Sequence, residues 1–550
     1  MQACDRLTTE RFHVLSLDLM RAASAAVAAF ARQQFPQARR VTVLCGRGNN
    51  GGDGMMAARL LASAGLDVTT LLLGARDKLA GDAAHAWQEL TSPAHGVVHV
   101  VESADELARH TSALKTDLIL DAILGTGFKP PLKGLALAAL EWVKASAAPI
   151  LAVDLPSGWP ADETCPTVSG SVFPADAVIT FTAPKPAHVF GQLTRRWDQP
   201  IVVAPIGSPA EAMASALGLD WAGSALSLIQ VPRPAAANKG NFGHVLVVGG
   251  TFGSAGGKAG APSMTALAAL RAGAGLVTAA VPKPALPVVS SFAAELMTWP
   301  LKSTDAGQIA TKNLEADELS QFTAGKTVLA IGPGLGQSAE TVKFTTGLLS
   351  ATQMPAVIDA DALNILAAKP VLLAKLAKGR TLVLTPHPGE MARLAGCTVT
   401  EVQADRLNVA RSFAERMGVI LVLKGARTLI AHPDGRVDVN TSGNPGMAKG
   451  GSGDLLTGLI AGLLAQYPSD PAHAVEAAVY LHGLAADLAV RDSDEHTLLA
   501  TDCLAQLSRA YQSRLHGFEV GGKNGYVWLQ GGIACSGRSA HAADVRAQSV

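Results

Sequence analysis

Charge is scarce in this chain. Asp, Glu, Lys and Arg make up 16% of its 550 residues, and 45 basic side chains cancel 45 acidic ones. That balance excludes a strongly basic nucleic-acid binder and an acidic tail protein. Aromatics are scarcer still, at 5%, so a stacking platform for single-stranded nucleic acid has few rings to build on. Cys4, Cys45, Cys165, Cys397, Cys503 and Cys535 are scattered and form no CxxC pair, which argues against a disulfide framework and a structural zinc. The most apolar helical stretch, residues 455–465, is too short to cross a bilayer. The opening MQACDRLTTERFHVLSLD carries acids and no apolar h-region, so no secretory signal is expected and the expected setting is cytoplasmic. Neither nucleic acid nor membrane is an expected partner.

What remains is apolar and small. AVILMFWYC account for 48% of the chain, and there are 55 glycines, a composition suited to helices packed closely on sheets. The length predicts two or three cores. One series of apolar runs, VTVLC (41–45), VTTLLL (68–73), LILDAIL (118–124), ILAVDLP (150–156) and AVITFTAP (177–184), alternates with helix-like stretches such as 54–64 and 79–90. Continuous apolar strands separated by helices predict a parallel sheet covered on both faces. A second, larger series begins at HVLVVGG (244–250) and runs through LVTAAVP (276–282), VLAIGPG (328–334), AVIDADAL (356–363), TLVLTPHPG (381–389) and VILVLKGA (419–426). The composition shift near 222–230 divides them. The expected organisation is an α/β chain with a Rossmann-like three-layer domain over 1–222, a second α/β domain over 223–515, and an extension over 516–550 without periodicity.

Chemistry concentrates at the strand ends. The first strand runs into GRGNNGGDG (46–54) and then a helix; glycines permit close backbone approach, and helix-start N–H groups favour anions. Asp121 with Gly125-Thr126-Gly127 follows the third run, and Asp154-Leu155-Pro156-Ser157-Gly158 the fourth. A lone Asp at a strand end reads as a turn cap. Three polar clusters at the carboxyl ends of successive parallel strands predict a ligand crevice.

In the second half, GNPGMAKGGSGD (443–454) opens directly into an apolar helix. Its backbone N–H groups can cradle a transferring phosphoryl group, and Asp454 can accept a proton from a hydroxyl nucleophile. The ordinary alternative for Asp454 is a helix starter. Lys424-Gly425-Ala426-Arg427-Thr428 supplies two cations beside a glycine turn, with a solvated hairpin as the plain alternative. Prolines on both sides of His387 fix its backbone.

CGRGNNGGDG, LDAILGTG and VDLPSGW resemble the N-terminal epimerase domain of the bifunctional NAD(P)H-hydrate repair family. The early LMRAASA departs from that family's pattern by lacking its Glu and Gly. GGTFGSAGGKAGAP, IGPGLG, TPHPGE, KGART and GNPGMAKGGSGD resemble, in order, the family's ribokinase-like ADP-dependent dehydratase domain. In the first domain the resemblance implies that Asn49, Asn50, Gly51, Gly52, Asp53, Gly125, Thr126, Gly127, Phe128, Lys129, Pro130, Pro131 and Asp154 contact the hydrated nucleotide. It also implies that Asn50, Asp121 and Ser157 hold K+, and that Asp154 does the acid–base work. In the second it implies that Ala261, Gly334 or Gly336, His387 and Asp454 bind the S-form hydrate. Lys424, Gly425, Ala426, Arg427, Thr428 and Gly453 are implied to bind ADP, with Mg2+ on its phosphates and Asp454 catalytic. The substrates implied are NADHX, NADPHX and ADP, and a homo-oligomer is expected. Two alternatives stand beside this: a ribokinase-like kinase for a vitamin precursor, and a first domain that serves only as a nucleotide-binding or scaffold module.

Overall fold

The computed structural model of the chain describes residues 2–91, 95–212, 218–229, 231–253, 256–516 and 527–530. It divides into two compact units, one built on residues 1–215 and one on 216–516.

Seven parallel strands form most of the first unit's sheet: β1 (Arg40–Cys45), β2 (Asp67–Leu73), β3 (Val97–Val101), β4 (Leu118–Ala122), β5 (Ile150–Val153), β6 (Ala177–Phe181) and β7 (Ile201–Ala204). Alternate side chains of β1 serve two separate cores. Val41, Val43 and Cys45 pack with Phe30, Met55, Met56 and Leu61, while Leu44 packs with Leu107, Leu140 and Phe173. A strand buried on both faces needs apolar residues at successive positions, which is the pattern VTVLC carries. The sheet order β7-β6-β5-β4-β1-β2-β3 places β4 beside β1, on the side opposite β2. The winding therefore reverses between β1 and β4, and the loops that follow them diverge around a crevice.

The second unit repeats this logic at larger scale. Its strands are β8 (Leu219–Trp221), β9 (His244–Val248), the two-residue pair β10 (Phe252–Gly253) and β11 (Gly256–Gly257), β12 (Leu276–Pro282), β13 (Met297–Leu301), β14 (Val328–Ile331), β15 (Ala356–Ile358), β16 (Leu382–Leu384), β17 (Ile420–Leu423), β18 (Leu429–Ala431) and β19 (Val437–Val439). The main sheet reads β13-β12-β9-β14-β15-β16-β17-β18-β19-β8, and its winding reverses between β9 and β14. β17, β18 and β19 pair antiparallel. β8 pairs with β19, so the second unit begins a few residues before the stretch that composition marked at 222–230.

One further strand, β20 (Val527–Gln530), pairs antiparallel with β7 at the edge of the first sheet, and Trp528 meets Phe30 edge-on. This strand falls within the 516–550 extension; residues 517–526 and 531–550 lie outside the described residues. Among the described residues no helix is long and apolar enough to cross a membrane.

Candidate functional site: two crevices at the carboxyl ends of the strands

In the first unit, Asn49, Asn50, Gly51, Gly52 and Asp53 open the helix Asn49–Ser63 directly after β1. Gly46 N–H donates to Ala122 O at 3.0 Å, tying this loop to the end of β4. Asn50 is the informative side chain. Both its amide oxygen and its amide nitrogen are buried and lack a hydrogen-bond partner, a costly state that a bound ligand would relieve. A Cβ on Gly125 would lie 2.8 Å from Asp154 Oδ2 and 3.3 Å from Asn50 Cγ. Asn50, Gly125 and Asp154 are therefore adjacent, and glycine is required between the other two. Met20, within the LMRAASA helix, lies against Gly52 on the core side, at 2.6 Å from a Cβ placed there.

Asp154 is the centre of this crevice. It has φ +65°, a left-handed conformation that Asp tolerates better than most residues. Its Oδ2 accepts Thr126 N–H at 3.0 Å and its Oδ1 accepts the Thr180 hydroxyl at 2.9 Å. The Lys185 ammonium reaches Oδ1 at 2.8 Å and also donates to Thr180 Oγ1. His188 Nε2 sits 2.6 Å from the Asp154 carbonyl oxygen. Burial alone would raise the Asp154 carboxyl, but the Lys185 charge, together with His188 and the hydrogen bonds from Lys185 and Thr180, holds the group below the usual carboxylate range. Burial keeps His188 neutral, pushing it down to about 4, and pushes Asp53 well above the usual range.

Asp121 and Ser157 form a second layer beneath. Ser157 donates its hydroxyl to Asp121 Oδ1 at 2.6 Å and its N–H to Oδ2 at 2.7 Å, and its Oγ accepts Leu124 N–H at 2.9 Å. Burial raises the Asp121 carboxyl to about 6. Phe128 packs onto the core, whereas Gly127, Lys129, Pro130 and Pro131 are exposed along the crevice rim. Lys185, Thr180 and His188 were not singled out from sequence. The available signal was a lysine between prolines, four residues past an apolar strand.

The second crevice is organised by two helices. A Cβ on Gly458 would strike Thr265 O at 2.1 Å, and one on Gly462 would meet Ala269 O at 2.6 Å. Both contacts advance by four residues, so Ser452–Gln466 and Gly260–Ala272 run parallel in backbone contact. The same register extended one turn back aligns position 454 with position 261. Gly334, after β14, has its Cβ position 2.6 Å from Lys258 O and 3.4 Å from Ala261 Cβ, and Gly336 N–H donates to Asp361 Oδ2 at 2.9 Å.

Lys424, at the end of β17, runs under the glycine loop, with its Nζ 3.4 Å from a Cβ position on Gly453. It donates to Asp359 Oδ1 at 2.9 Å and lies 3.9 Å from Glu390 Oε2. Glu390 accepts His387 N–H at 2.9 Å, and His387 Nε2 faces Glu390 Oε1 at 3.5 Å. His387 itself is exposed and caps the helix Pro388–Ala395 by accepting Gly389 N–H. Burial raises the Asp454 carboxyl to about 6, and the charge of Asp359 adds to that rise.

Residues 424–428 follow β17 directly and lead into β18. They form the turn of a β17–β18 hairpin whose strands are buried while Gly425 and Ala426 at its tip are exposed. Arg427 turns from Lys424 and donates to Thr441 O at 2.8 Å, Thr428 Oγ1 closes onto Gly425 O at 3.0 Å, and Arg406 donates to Ala426 O.

A separate buried group, His432, Asp438 and Glu476, has metal-ligand composition. Arg436 Nη1 stands 3.1 Å from both carboxylates, so a guanidinium supplies the cation there.

Each unit matches a known protein family. Residues 16–187 match the YjeF-related protein N-terminus, and residues 245–509 match the NAD(P)H-hydrate dehydratase family model. The chain is 40% identical over 518 residues to the bifunctional NAD(P)H-hydrate repair enzyme Nnr of Moorella thermoacetica, covering 92% of this chain and 94% of the relative. It is 37% identical to the Escherichia coli protein of the same name over 505 residues, covering 90% and 89%. A solved ADP/ATP-dependent NAD(P)H-hydrate dehydratase from Bacillus subtilis, co-crystallized with ATP and Mg2+, is 32% identical, with a TM-score of 0.45; the match covers 55% of this chain and 100% of that one.

Proposed function

The chain belongs to the bifunctional NAD(P)H-hydrate repair enzymes, and we propose that its two crevices divide that repair between Asp154 and Asp454. Its activities are epimerisation of the R and S hydrates of NAD(P)H and nucleotide-dependent dehydration of the S hydrate. The first unit is Rossmann-like and the second ribokinase-like. Small-molecule hydrates and an adenine nucleotide are its substrates; ADP as phosphoryl donor, a homo-oligomeric assembly and a cytoplasmic setting belong to the proposal.

One observation carries the first assignment: the Asp154 carboxylate lies buried among Lys185, Thr180, Thr126 N–H and the unsatisfied amide of Asn50. C6 of the hydrate carries a hydroxyl on a carbon bonded to ring nitrogen. Asp154 accepts the hydroxyl proton, C6=O forms as the C6–N bond opens, and the nitrogen takes up a proton. Reclosure on the other face reverses these transfers and returns the proton through the same carboxylate. Lys185 keeps Asp154 ionised and Thr180 fixes its orientation. Asn49, Gly51, Gly52, Asp53 and the segment 125–131 surround the nucleotide. The oxygen chemistry of Asn50, Asp121 and Ser157 suits K+, which would supply a fixed positive charge beside the substrate.

In the second unit Asp454 takes the proton of the C6 hydroxyl as its oxygen attacks the terminal phosphorus of ADP, and AMP leaves. Phosphate then departs from C6 with the push of the ring nitrogen, and loss of the C5 proton restores NAD(P)H. Ala261, Gly334, Gly336 and His387 line the hydrate; Lys424, the turn 425–428 and Gly453 face the nucleotide. Mg2+ would ride on the phosphates of ADP and spread their charge. The pairing of activities has a chemical basis, since hydration yields both epimers and a chiral dehydration site accepts one.

The test supplies mixed NADHX epimers with ADP and follows the reformed NADH absorbance alongside AMP release. Complete conversion with one AMP per NADH is expected. Conversion that halts at the S fraction removes the epimerase assignment. Accumulation of a stable phosphorylated product returns the kinase alternative.

A further inference from the structure

The Asp359 carboxylate accepts three side-chain hydrogen bonds in the second crevice, and none of the assignments above uses it. It sits at the end of β15, is 2% exposed, and caps the helix Ala360–Ala367 by position rather than by a side-chain bond. Its carboxylate instead points at the phosphate loop. Oδ1 accepts Lys424 Nζ at 2.9 Å and the Thr385 hydroxyl at 2.7 Å, while Oδ2 accepts the Thr457 hydroxyl at 2.9 Å. Thr457 lies in the first turns of the helix that carries Asp454. A Cβ position on Gly453 is 3.4 Å from Lys424 Nζ and 3.8 Å from Asp359 Oδ2. One carboxylate thus ties three strand ends and the Asp454 helix to a single ammonium.

Resting on the dehydratase reading, we propose that Asp359 is a positioning residue: it holds Lys424 beneath Gly453 and prevents the ammonium from closing on Asp454. The charged groups around the pair support this division. Lys424 is drawn by Asp359, Glu390 and Asp454 together, and His482 from the helix Pro471–Asp492 faces it as a group that burial keeps neutral. Asp454 sees Asp359, Lys424 and Lys258; Lys258 stands 3.7 Å from Asp361, which gives it an acidic partner of its own. Without the charge on Asp359, Lys424 retains only Glu390 and Asp454. An ammonium paired with Asp454 would make that carboxylate a weaker base for the C6 hydroxyl. With Asp359 in place, Lys424 keeps its charge directed at the loop amides where phosphate docks, and Asp454 stays unpaired.

Asp359→Asn tests this. The amide oxygen can still accept from Thr385 and the amide nitrogen can donate to Thr457, so the helix and strand ends keep their ties. With purified S-NADHX and saturating ADP, the acid limb of the kcat profile is expected to move down by at least about one pH unit. The plateau rate should fall by roughly tenfold, following the weakened base. Asp359→Glu, which restores a carboxylate, is expected to recover part of the shift. In a Lys424→Met background the Asp359→Asn substitution should move the acid limb by less than it does alone, since the ammonium it releases is gone and only the direct repulsion of Asp454 by Asp359 is left to lose; this pair also leaves neither charge buried alone. An unmoved acid limb in Asp359→Asn, or strictly additive effects of the two substitutions, overturns the proposal. An unsubstituted protein that does not dehydrate the S form fails the parent reading instead, before any variant is compared.

Discussion

The Lys185 ammonium meets Asp154 Oδ1 at 2.8 Å with both side chains almost fully buried. A buried ion pair is poor evidence of stability by itself, because the desolvation of both charges offsets most of their attraction. Its value here is functional. The lysine leads the contacts that hold this carboxyl below its usual range against the opposing effect of burial.

Lys185→Met should therefore leave an unpaired buried carboxylate. The expected cost is about 3–5 kcal/mol of first-unit stability, together with at least a hundredfold loss of R-form repair. S-form dehydration should continue at its original rate. Adding Asp154→Asn should restore most of the stability and none of the epimerisation, because no buried charge is then left alone. Asn also tolerates the left-handed backbone at this position. Thermal melting and epimer-resolved kinetics of the two single variants and the double variant check this.

Potassium should stabilise the first unit in a pH-dependent manner. The Asp121 carboxyl is raised by burial to about 6, so above that pH the ionised form is present and burdens the fold. A cation beside it relieves that burden, and below pH 6 protonation removes the need. Exchanging choline for K+ at constant ionic strength, with NADP present, is expected to raise the melting temperature by about 2–4 °C at pH 8, the equivalent of about 1 kcal/mol for a unit of this size. The gain should be small at pH 5 and absent in Asp121→Asn.

Asp454 should trade stability for activity. Its carboxyl is raised by burial from the ordinary 3.8 to about 6, so the folded state binds protons more tightly than the unfolded chain. The ionised group consequently destabilises the fold, fully above pH 6, and the penalty fades as pH falls toward 4. Asp454→Asn is expected to stabilise the protein by about 2 kcal/mol at pH 7.5, discounted for partial exposure, and to bring no gain near pH 4. Denaturant titrations at the two pH values measure the difference.

The sheets were legible in the sequence because a strand buried on both faces leaves a continuous apolar run, as in VTVLC and HVLVVGG. β3 escaped notice because Val97 and Val100 face solvent at the sheet edge, so the run VVHVV serves no two-sided core. β8 and β20 are three and four residues long and gain their pairing only from distant partners. The site glycines were legible by spacing, since close backbone approach leaves its mark in residue type. Lys185 and Asp359 were not, because their roles depend on contacts 31 and 65 residues away in the chain. The separate destinations of Lys424 and Arg427 in the turn 424–428 were not legible either, since the ammonium goes to Asp359 and the guanidinium to Thr441 O, 65 and 14 residues away in the chain.

Epimer-resolved repair is the most direct measurement of the divided chemistry. R- and S-NADHX are supplied separately with ADP to the unsubstituted protein, to Asp154→Asn and to Asp454→Asn, and NADH is followed as it forms. Asp154→Asn is expected to dehydrate the S form at the original rate and to slow the R form by at least a hundredfold. Asp454→Asn is expected to yield no NADH from either epimer. Near-normal dehydration by Asp454→Asn, or an equal loss on both epimers in Asp154→Asn, would contradict the assignment of one carboxylate to each crevice.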